Sequence, residues 1–481
     1  MLDVLIVGAG ISGISAACHL RRESPQASFA IIEARDNPGG TWDLFRYPGI
    51  RSDSDMHTFG FKFKPWTEPK VLADGGSILS YVKEAIAEYG IDAQIQYGEK
   101  VIMANWNSTT SSWQVDLENA SGQARQLETR LLFMCAGYYS YEEGYTPNLK
   151  GLDSFAGQLL HPQKWPKDLN YKGKKVAVIG SGATAMTLVP AMASEASKVT
   201  LIQRSPTYVI PRPAVDSIAK VLNAMLPIQL AYRIVRWKNI HLGSYFYRSS
   251  RKNPKRAKEF LLKQVKKALG DDFDIDKHFT PSYNPWDQRV CVVPEGDLFT
   301  AIKNGSVDVV TGNIDSINSA GVRMTDGTQV DADVLITATG LNLQLMGGVE
   351  FAMDGEAIDF SKRLFYQGML ISGVPNLIQT FGYVNASWTL RADLNSLYVT
   401  RLVNHMKATG TTRVSAELLG DDANMDAETS FQDFQPGYMK RGMHLFPRQG
   451  DHAPWQNTQD YLKDRKLLGE AKLEDGVLQF S

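Results

Sequence analysis

The stretch VLIVGAGISG, Val4 to Gly13, decides how the first part of the chain folds. Its short apolar run predicts a buried parallel strand, and the glycines at 8, 10 and 13 predict a tight turn that opens a helix. Glu33 ends the next apolar run, 20 residues after the last of these glycines. A helix N-terminus can hold a pyrophosphate, and a carboxylate placed like Glu33 can accept hydrogen bonds from a ribose diol. Because an acid repels a 2′-phosphate, this unit predicts a site for FAD or NAD rather than for NADPH. The predicted contacts of this loop are Gly8, Gly10, Gly13 and Glu33.

A second copy of this device begins at VAVIGSGATA, Val176 to Ala185. Where the first unit ends in an acid, the second reads Gln-Arg-Ser, with Arg204 in the middle. An arginine is always charged and can bind a phosphate through two N–H groups, so this unit favours the 2′-phosphate of NADPH. The alternative for Arg204 is a solvated surface charge. The predicted cofactor contacts are Gly180, Ser181, Gly182, Ala183, Thr184, Ala185, Arg204 and Ser205.

Two such units in one chain predict an α/β fold with two Rossmann-like dinucleotide-binding domains, one for FAD and one for NADP. We expect a discontinuous FAD-binding domain, residues 1–140 and 335–481, and an NADP-binding domain at residues 150–330. A helical pattern at about 213–280 predicts a helical insertion in the second domain. Within it, Asn253-Pro254 predicts the start of a helix.

The composition is that of an ordinary globular protein, with 481 residues, 43% of them hydrophobic and 21% charged. A formal net charge of −1 provides no general attraction for nucleic acid. The three cysteines, Cys18, Cys135 and Cys291, form no CxxC pair, which favours a reducing compartment and argues against a metal site or a dithiol centre. With no apolar run of 18 residues and no basic segment before the first strand, we expect a cytoplasmic protein.

The stretch RKNPKRAKEFLLKQVKKALG, Arg251 to Gly270, carries eight basic residues and one acid. Apolar helical patterns precede it at Ile218–Leu226 and Ile228–Val235. A basic amphipathic segment of this kind can lie on an anionic membrane, so peripheral membrane contact is one expectation. The alternative is a solvated basic face over a packed helix. The sequence leaves the oligomeric state open.

A motif of fixed spacing, F-x-G-x-x-x-H-x-x-x-W-P, lies between the two glycine loops. Its fixed positions are filled by Phe155, Gly157, His161, Trp165 and Pro166. With this motif the chain resembles the Baeyer–Villiger monooxygenases, the class B flavoprotein monooxygenases. The stretch GGTWDLFRYPGIRSD, Gly39 to Asp53, is similar to the second conserved motif of that family. Segments such as CAGYYSYEEGY and NASWTL most resemble the branch that contains mycobacterial ethionamide monooxygenase.

The resemblance implies a reaction. NADPH would reduce FAD, and reduced FAD would take up O₂ as a C4a-peroxyflavin that inserts one oxygen atom into a ketone to give an ester or lactone. Sulfides and thioamides are further expected substrates. The resemblance implies Arg289 as the catalytic arginine and Asp53 as the acid that orients it. Many members carry a lysine where this chain has Gln288, which removes one expected phosphate contact.

The resemblance also implies cofactor contacts outside the glycine triplets. The expected FAD contacts are Ser12, Gly40, Thr41, Trp42, Asp53 and Val101, the last through its backbone. Asn385 and Trp388 are expected near the flavin or the substrate. The linker motif is expected to couple the two domains rather than to carry chemistry. Two alternatives remain: a flavin monooxygenase that oxidises nitrogen or sulfur, and a flavoprotein that binds NADPH without catalysis.

Overall fold

The computed structural model describes residues 1–432 and 434–481. The strands, numbered in chain order, are β1 (Leu2–Val7), β2 (Phe29–Glu33), β3 (Ile95–Tyr97), β4 (Glu99–Asn107), β5 (Ser112–Asn119), β6 (Ala124–Met134), β7 (Tyr139–Gly144), β8 (Gln158–Leu160), β9 (Lys175–Ile179), β10 (Lys198–Gln203), β11 (Tyr208–Arg212), β12 (Val290–Pro294), β13 (Val307–Thr311), β14 (Ile314–Asn318), β15 (Gly321–Met324), β16 (Gln329–Asp331), β17 (Val334–Thr337), β18 (Leu341–Leu343), β19 (Glu350–Met353), β20 (Glu356–Ala357), β21 (Phe365–Tyr366), β22 (Leu370–Ile371), β23 (Leu377–Gln379), β24 (Val414–Ala416), β25 (Ala427–Glu428), β26 (Gln449–Gly450) and β27 (Leu478–Phe480). The α-helices are α1 (Ile11–Glu23), α2 (Thr41–Leu44), α3 (Met56–Phe59), α4 (Gly75–Tyr89), α5 (Ala183–Met192), α6 (Ser217–Met225), α7 (Ile228–Lys252), α8 (Pro254–Leu269), α9 (Ile275–Phe279), α10 (Asp297–Lys303), α11 (Trp388–Thr409), α12 (Gly437–Gly442) and α13 (Tyr461–Gly469).

The first sheet is built around the predicted β1–α1–β2 unit. Strand β1 lies between β2 and β6 and pairs with both in parallel, and the main path of the sheet runs β20-β19-β4-β5-β6-β1-β2-β3. Successive side chains of a strand point to opposite faces, so β1 contributes to two cores. Val4 and Ile6 pack under α1 and α11, whereas Leu5 and Val7 pack on the face of the antiparallel strands β4 and β5. The first predicted βαβ unit is confirmed.

The second sheet is parallel, in the order β13-β10-β9-β17-β8, and contains the predicted β9–α5–β10 unit. Strand β17 lies between β8 and β9, so the chain stays in this sheet through Thr337. The predicted return to the first domain at residue 335 is therefore too early, because the apolar run at 334–337 is buried inside the second sheet. The crossing follows at β18, which pairs with β7.

The linker motif contributes an edge strand to the second sheet. Strand β8 pairs in parallel with β17 directly after Gly157. A Cβ atom on Gly157 would lie 2.4 Å from the carbonyl oxygen of Asp333, so only glycine fits there. Directly after the strand's last residue, the ring of His161 takes part in a hydrogen bond between its Nε2 and the carbonyl oxygen of Gly340, at 3.2 Å. The motif thus joins the second sheet to the segment that crosses back to the first.

The predicted helical insertion is present between β11 and β12 as helices α6 to α9. Helix α8 begins with Pro254 at its first turn, as expected from Asn253-Pro254, and buries Ala257, Leu261 and Val265. Helix α7 is much longer than the predicted segment Ile228–Val235 and continues to Lys252, just before Asn253-Pro254. Within the described chain, no helix is both long enough and apolar enough to cross a bilayer.

Candidate functional site

An inner cavity of about 300 Å³ lies between the two glycine loops. Each loop follows a strand that pairs in parallel with both of its neighbours, and the carboxyl ends of such strands form ligand crevices. Of the predicted site residues, the cavity wall contains Gly10, Ser12, Gly40, Thr41, Trp42, Asp53, Ala183, Thr184 and Arg289. Residues from two segments far apart in sequence, and from both sheets, therefore share one cavity.

The glycines of both loops leave room for a dinucleotide. A Cβ atom on Gly13 would lie 1.9 Å from the carbonyl oxygen of Gly8, so this glycine lets the helix pack on the strand. A Cβ atom on Gly10 would meet its nearest atom only at 3.7 Å, and one on Gly182 would meet nothing within 4 Å. Gly10 and Gly182 thus leave open space beside the backbone, as close approach of a pyrophosphate requires.

Glu33 is buried and holds the first glycine loop. Its carboxylate accepts hydrogen bonds from the backbone N–H of Ala9 at 2.7 Å and of Arg35 at 3.0 Å. Burial raises the pKa of Glu33, while these two hydrogen bonds act in the opposite direction. A carboxylate has further lone pairs, so the predicted bond to a ribose remains compatible with this arrangement.

The second glycine loop lies beside Arg204 and Ser205. The Ser181 hydroxyl donates to the carbonyl oxygen of Ser205 at 2.8 Å, which fixes the end of β10 against the loop. The Arg204 side chain is exposed at this corner, and Ala185 is buried under the helix. The position of Arg204 suits the predicted contact with a 2′-phosphate, which stays a prediction.

Asp53 and Arg289 form a two-bonded ion pair in the inner cavity. Arg289 Nε and Nη2 donate to the two carboxylate oxygens of Asp53, each at 2.7 Å. The Asp53 charge raises the pKa of the Arg289 guanidinium, so it stays charged at every working pH. The Arg289 side chain is still 43% exposed, and its remaining N–H groups can donate to a ligand.

Anchored contacts hold the loop that precedes Arg289. The Tyr208 hydroxyl donates to the carbonyl oxygen of Tyr283 at 2.6 Å. Asp287 accepts a hydrogen bond from Arg251 at the end of α7, also at 2.6 Å. Between these anchors Trp286 has a φ of 74°, a conformation that a bulky side chain adopts only when its surroundings enforce it. The loop therefore presents Arg289 in a fixed direction.

An outer cavity of about 700 Å³ adjoins the inner one. The two share part of their walls, at Asp53, Ser54, Arg289, Val292 and Ala386. Much of the outer wall comes from α7 of the insertion and from residues of the C-terminal part of the chain, among them Phe431, Phe434 and Tyr461. The Asp53–Arg289 pair thus stands at the junction of a cavity formed by the glycine loops and a larger one formed by the insertion.

Trp388 and Asn385, the two residues expected near the flavin or the substrate, line different cavities. Trp388 lines the inner cavity, and its Nε1–H donates to the Ser12 hydroxyl at 2.8 Å. Asn385 lines the outer cavity, and its amide donates to the carbonyl oxygen of Gln459 at 2.9 Å. Trp388 therefore contacts the first glycine loop directly, whereas Asn385 holds the C-terminal wall of the outer cavity.

The remaining predicted residues do not line either cavity. In the first domain, Val101 is buried in the core on strand β4. Residues outside both walls are Gly8, Gly13, Glu33, Val101, Gly180, Ser181, Gly182, Ala185, Arg204 and Ser205 among the cofactor positions, and Phe155, Gly157, His161, Trp165 and Pro166 in the linker. Their cofactor roles stay predictions, and so does the role of the linker in coupling the two domains.

Sequence reasoning missed a group of tyrosines in the inner cavity wall: Tyr47, Tyr138, Tyr139, Tyr141 and Tyr383. The Tyr139 and Thr41 hydroxyls are 2.7 Å apart and share a hydrogen bond. Tyr138, Tyr139 and Tyr141 follow strand β6, which is a parallel neighbour of β1. The rule that ligands bind at the carboxyl ends of parallel strands could have indicated them.

The fold and the site define a flavoprotein class in which two dinucleotide-binding domains meet at one cavity. A model of NAD(P)-binding Rossmann-like domains matches residues 6–70, and a model of flavin-binding monooxygenase-like proteins matches residues 65–365. The chain belongs to the flavin-binding monooxygenase-like family.

Relatives match over the full length of the chain. FAD-containing monooxygenase EthA of Mycobacterium tuberculosis (strain ATCC 25618 / H37Rv) is 49% identical, over 100% of this chain and 98% of the relative. The probable FAD-binding monooxygenase AlmA of Acinetobacter baylyi is 47% identical, over 100% and 96%. The fold is similar to that of a steroid monooxygenase solved with NADP, at a TM-score of 0.78, 22% identity, and coverage of 100% of this chain and 99% of that one.

Proposed function

We propose that this chain is an NADPH-dependent Baeyer–Villiger monooxygenase that uses FAD to insert one oxygen atom of O₂ beside a ketone carbonyl, giving an ester or lactone. The observation that carries the proposal is the Asp53–Arg289 pair at the junction of the two cavities. The chain's membership in a flavin monooxygenase family supports the flavin chemistry. The similarity of its fold to that of a steroid monooxygenase bound to NADP supports the two-nucleotide arrangement.

The two domains are assigned to the two nucleotides by their loops. The FAD-binding domain comprises residues 1–140 and the part of the chain after Thr337, and the NADP-binding domain comprises residues 150–337. Glu33 in the first unit and Arg204 in the second support this order, because an acid disfavours a 2′-phosphate and an arginine favours it. FAD, when bound, supplies the electrons and the site at which O₂ is activated.

Arg289 has a defined task in this proposal. Its guanidinium can hold the negative charge that develops on oxygen during the reaction, in a site where donors already point in the right direction. Asp53 occupies two of the N–H groups and so fixes the plane of the guanidinium. The outer cavity is the proposed ketone site, because it reaches Arg289 and is large enough for a drug-sized ligand.

The test uses purified holoenzyme, NADPH, a 2-alkanone and ¹⁸O₂, with gas chromatography and mass spectrometry of the products. An ester carrying one labelled oxygen atom for each NADPH consumed supports the proposal. We expect Arg289→Ala to abolish ester formation. Arg125→Ala is the matched control, since it removes an arginine paired with Glu99 on the protein surface. An enzyme that forms no ester from any of a range of ketones contradicts the proposal.

Sulfides and thioamides are the second proposed substrate class. The name of the relative EthA, a FAD-containing monooxygenase, specifies no substrate class. Sulfoxide formation in the absence of any ester would instead favour an enzyme that oxidises nitrogen or sulfur. An enzyme that takes up no O₂ with NADPH would favour a flavoprotein without catalysis.

We also propose that the protein is cytoplasmic and makes peripheral contact with an anionic membrane. On α6, Ile218, Val221 and Met225 are 53%, 56% and 75% exposed, and their spacing puts them on one helix face. Neighbouring α7 adds exposed Trp237 and Tyr245 and contains no acidic residue. An apolar face with basic surroundings has the chemistry of an interfacial helix.

Vesicle sedimentation tests this contact. We expect more binding to vesicles containing phosphatidylglycerol than to vesicles of phosphatidylcholine alone, and loss of binding in the triple variant Ile218→Ser, Val221→Ser, Met225→Ser. Leu419→Ser is the control, because Leu419 is 51% exposed outside this face. Equal binding by the triple variant and the unchanged protein contradicts the contact. A change of molecular mass in the triple variant would instead assign the face to a second copy of the chain.

A further inference from the structure

Tyr138 occupies a position in the inner cavity to which the sequence assigned no role. It follows the end of β6 at Met134 and comes directly after Gly137, whose φ is +77°. Strand β6 pairs with β1, so Tyr138 lies beside the first glycine loop at the carboxyl end of the sheet. Its side chain is partly exposed to the cavity that also contains Arg289.

Aromatic neighbours fix the ring of Tyr138. It stacks on Trp388 at a centroid distance of 5.2 Å and an interplanar angle of 24°. Phe381 and Tyr139 contact it at the same centroid distance, tilted by 50° and 82°. Trp388 is itself held by its hydrogen bond to Ser12. Because the ring cannot turn freely, the hydroxyl group points in one direction.

Tyr138 shares the wall of the inner cavity with the polar groups of the reaction site. The charges of Arg289 and Asp53 both act on Tyr138, and the ring of Tyr438 from α12 lies at a centroid distance of 6.4 Å. Burial raises the pKa of Tyr138 and also that of Tyr438, so both phenols are protonated at neutral pH. A protonated phenol is a hydrogen-bond donor, so the Tyr138 hydroxyl can donate to a ligand that enters the inner cavity.

We propose that the Tyr138 hydroxyl, in the wall of the inner cavity, is a second hydrogen-bond donor to the carbonyl oxygen of a ketone that reaches from the outer cavity to Arg289 at the junction of the two. The inference rests on the proposed ketone oxidation and adds a catalytic residue to it. Two donors converging on one oxygen can hold the charge that develops there as the carbonyl carbon becomes tetrahedral. Tyr138 keeps its proton throughout, so the step needs no acid or base from this residue. Tyr438 is a positioning residue, since its ring lies beside that of Tyr138.

Comparing a ketone with a sulfide tests the proposal, because oxidation of a sulfide builds no negative charge on a carbonyl oxygen. In Tyr138→Phe, which removes only the hydroxyl, we expect kcat for ester formation to fall by roughly 100-fold. Sulfoxide formation should stay within about twofold. Tyr171→Phe is the control, since Tyr171 is partly buried outside both cavities. Tyr438→Phe should give a smaller loss of ester with the same preserved sulfoxidation.

Ligand binding gives a readout that is independent of turnover. An N-alkylacetamide has a strongly accepting carbonyl oxygen and is not converted to an ester. Its dissociation constant for the oxidised holoenzyme, measured by calorimetry, should rise about tenfold in Tyr138→Phe. Flavin absorbance of the variant checks that the holoenzyme is intact.

The outcomes separate this inference from the proposed function. An unchanged ester rate and amide affinity in Tyr138→Phe would overturn the role of Tyr138 while leaving the ketone oxidation in place. Equal losses of ester and sulfoxide would also overturn it, because they would indicate a general effect on the flavin site. If the unchanged enzyme forms no ester, the proposed function fails, and weaker amide binding would then assign Tyr138 to carbonyl binding alone.

Discussion

Replacing Asp53 by asparagine tests how much the orientation of Arg289 contributes to catalysis. The carboxylate accepts two charge-assisted hydrogen bonds, each 2.7 Å long, and asparagine of nearly the same shape can accept only through its single oxygen. A hydrogen bond to a charged group contributes about 1.5–3 kcal/mol. Because both side chains are partly exposed, solvent screens the pair, and we take this range for the pair as a whole.

A loss of about 1.5–3 kcal/mol of transition-state stabilisation corresponds to a roughly 10- to 150-fold fall in kcat for ester formation. The assay is the initial rate of ester production from a 2-alkanone at saturating NADPH, followed by gas chromatography. The KM for NADPH should change little, since Asp53 orients Arg289 rather than a phosphate. Glu99→Gln is the control, because it alters the paired carboxylate of Arg125 on the surface in the same way. If Asp53→Asn retains the full kcat, the arginine does not need its partner, and the reasoning is wrong.

Further variants separate the two nucleotide sites and the linker. Gly13→Ala should yield protein with little bound flavin, because its Cβ would lie 1.9 Å from a backbone oxygen. The ratio of flavin absorbance to protein absorbance in the purified variant measures the flavin content. In Gly182→Ala the new Cβ meets no protein atom within 4 Å, so the variant should fold and keep its flavin. Because the Cβ takes up space predicted for NADPH, the KM for NADPH should rise. Arg204→Ala should raise the KM for NADPH about tenfold or more, leave the KM for NADH unchanged, and so reduce the preference between them in steady-state assays. Burial lowers the pKa of His161 in the folded protein, so the unfolded chain binds a proton first as the pH falls through about 6.5, and folded-state stability is lost there. The Tm advantage of the unchanged protein over His161→Gln should therefore be smaller at pH 5 than at pH 8, and an advantage that grows on acidification would contradict this.

Local patterns in the sequence were sufficient for both βαβ units. Each glycine loop follows a short apolar strand and opens a helix, and the structure places β1–α1–β2 and β9–α5–β10 at those positions. Such units are formed by residues close together in the chain, so spacing and residue type carry the information. The resemblance of the linker motif and of the second signature to a known family supplied Arg289 and Asp53. Their separation of more than 200 residues gives no local sign that they pair.

The domain boundary near residue 335 and the length of helix α7 were harder to predict from the sequence. The apolar run at Val334–Thr337 could have belonged to either sheet, because a buried parallel strand looks the same in both. Its pairing with β8 and β9 assigned it to the second. Helix α7 was likewise underestimated, since its apolar side chains divide between an exposed face and the wall of the outer cavity and do not form one continuous stripe.

By itself, the sequence determined that two nucleotide-binding units exist, and it predicted which nucleotide each one favours. The units follow from glycine spacing, and the predicted preference rests on one charged residue in each unit, Glu33 and Arg204. The tertiary structure alone decided that Asp53 meets Arg289 where the two cavities join, and that Tyr138 stands beside them. The physical reason is that a cavity is formed by side chains from several elements of both sheets, and its shape depends on how those elements pack rather than on the order of residues along the chain.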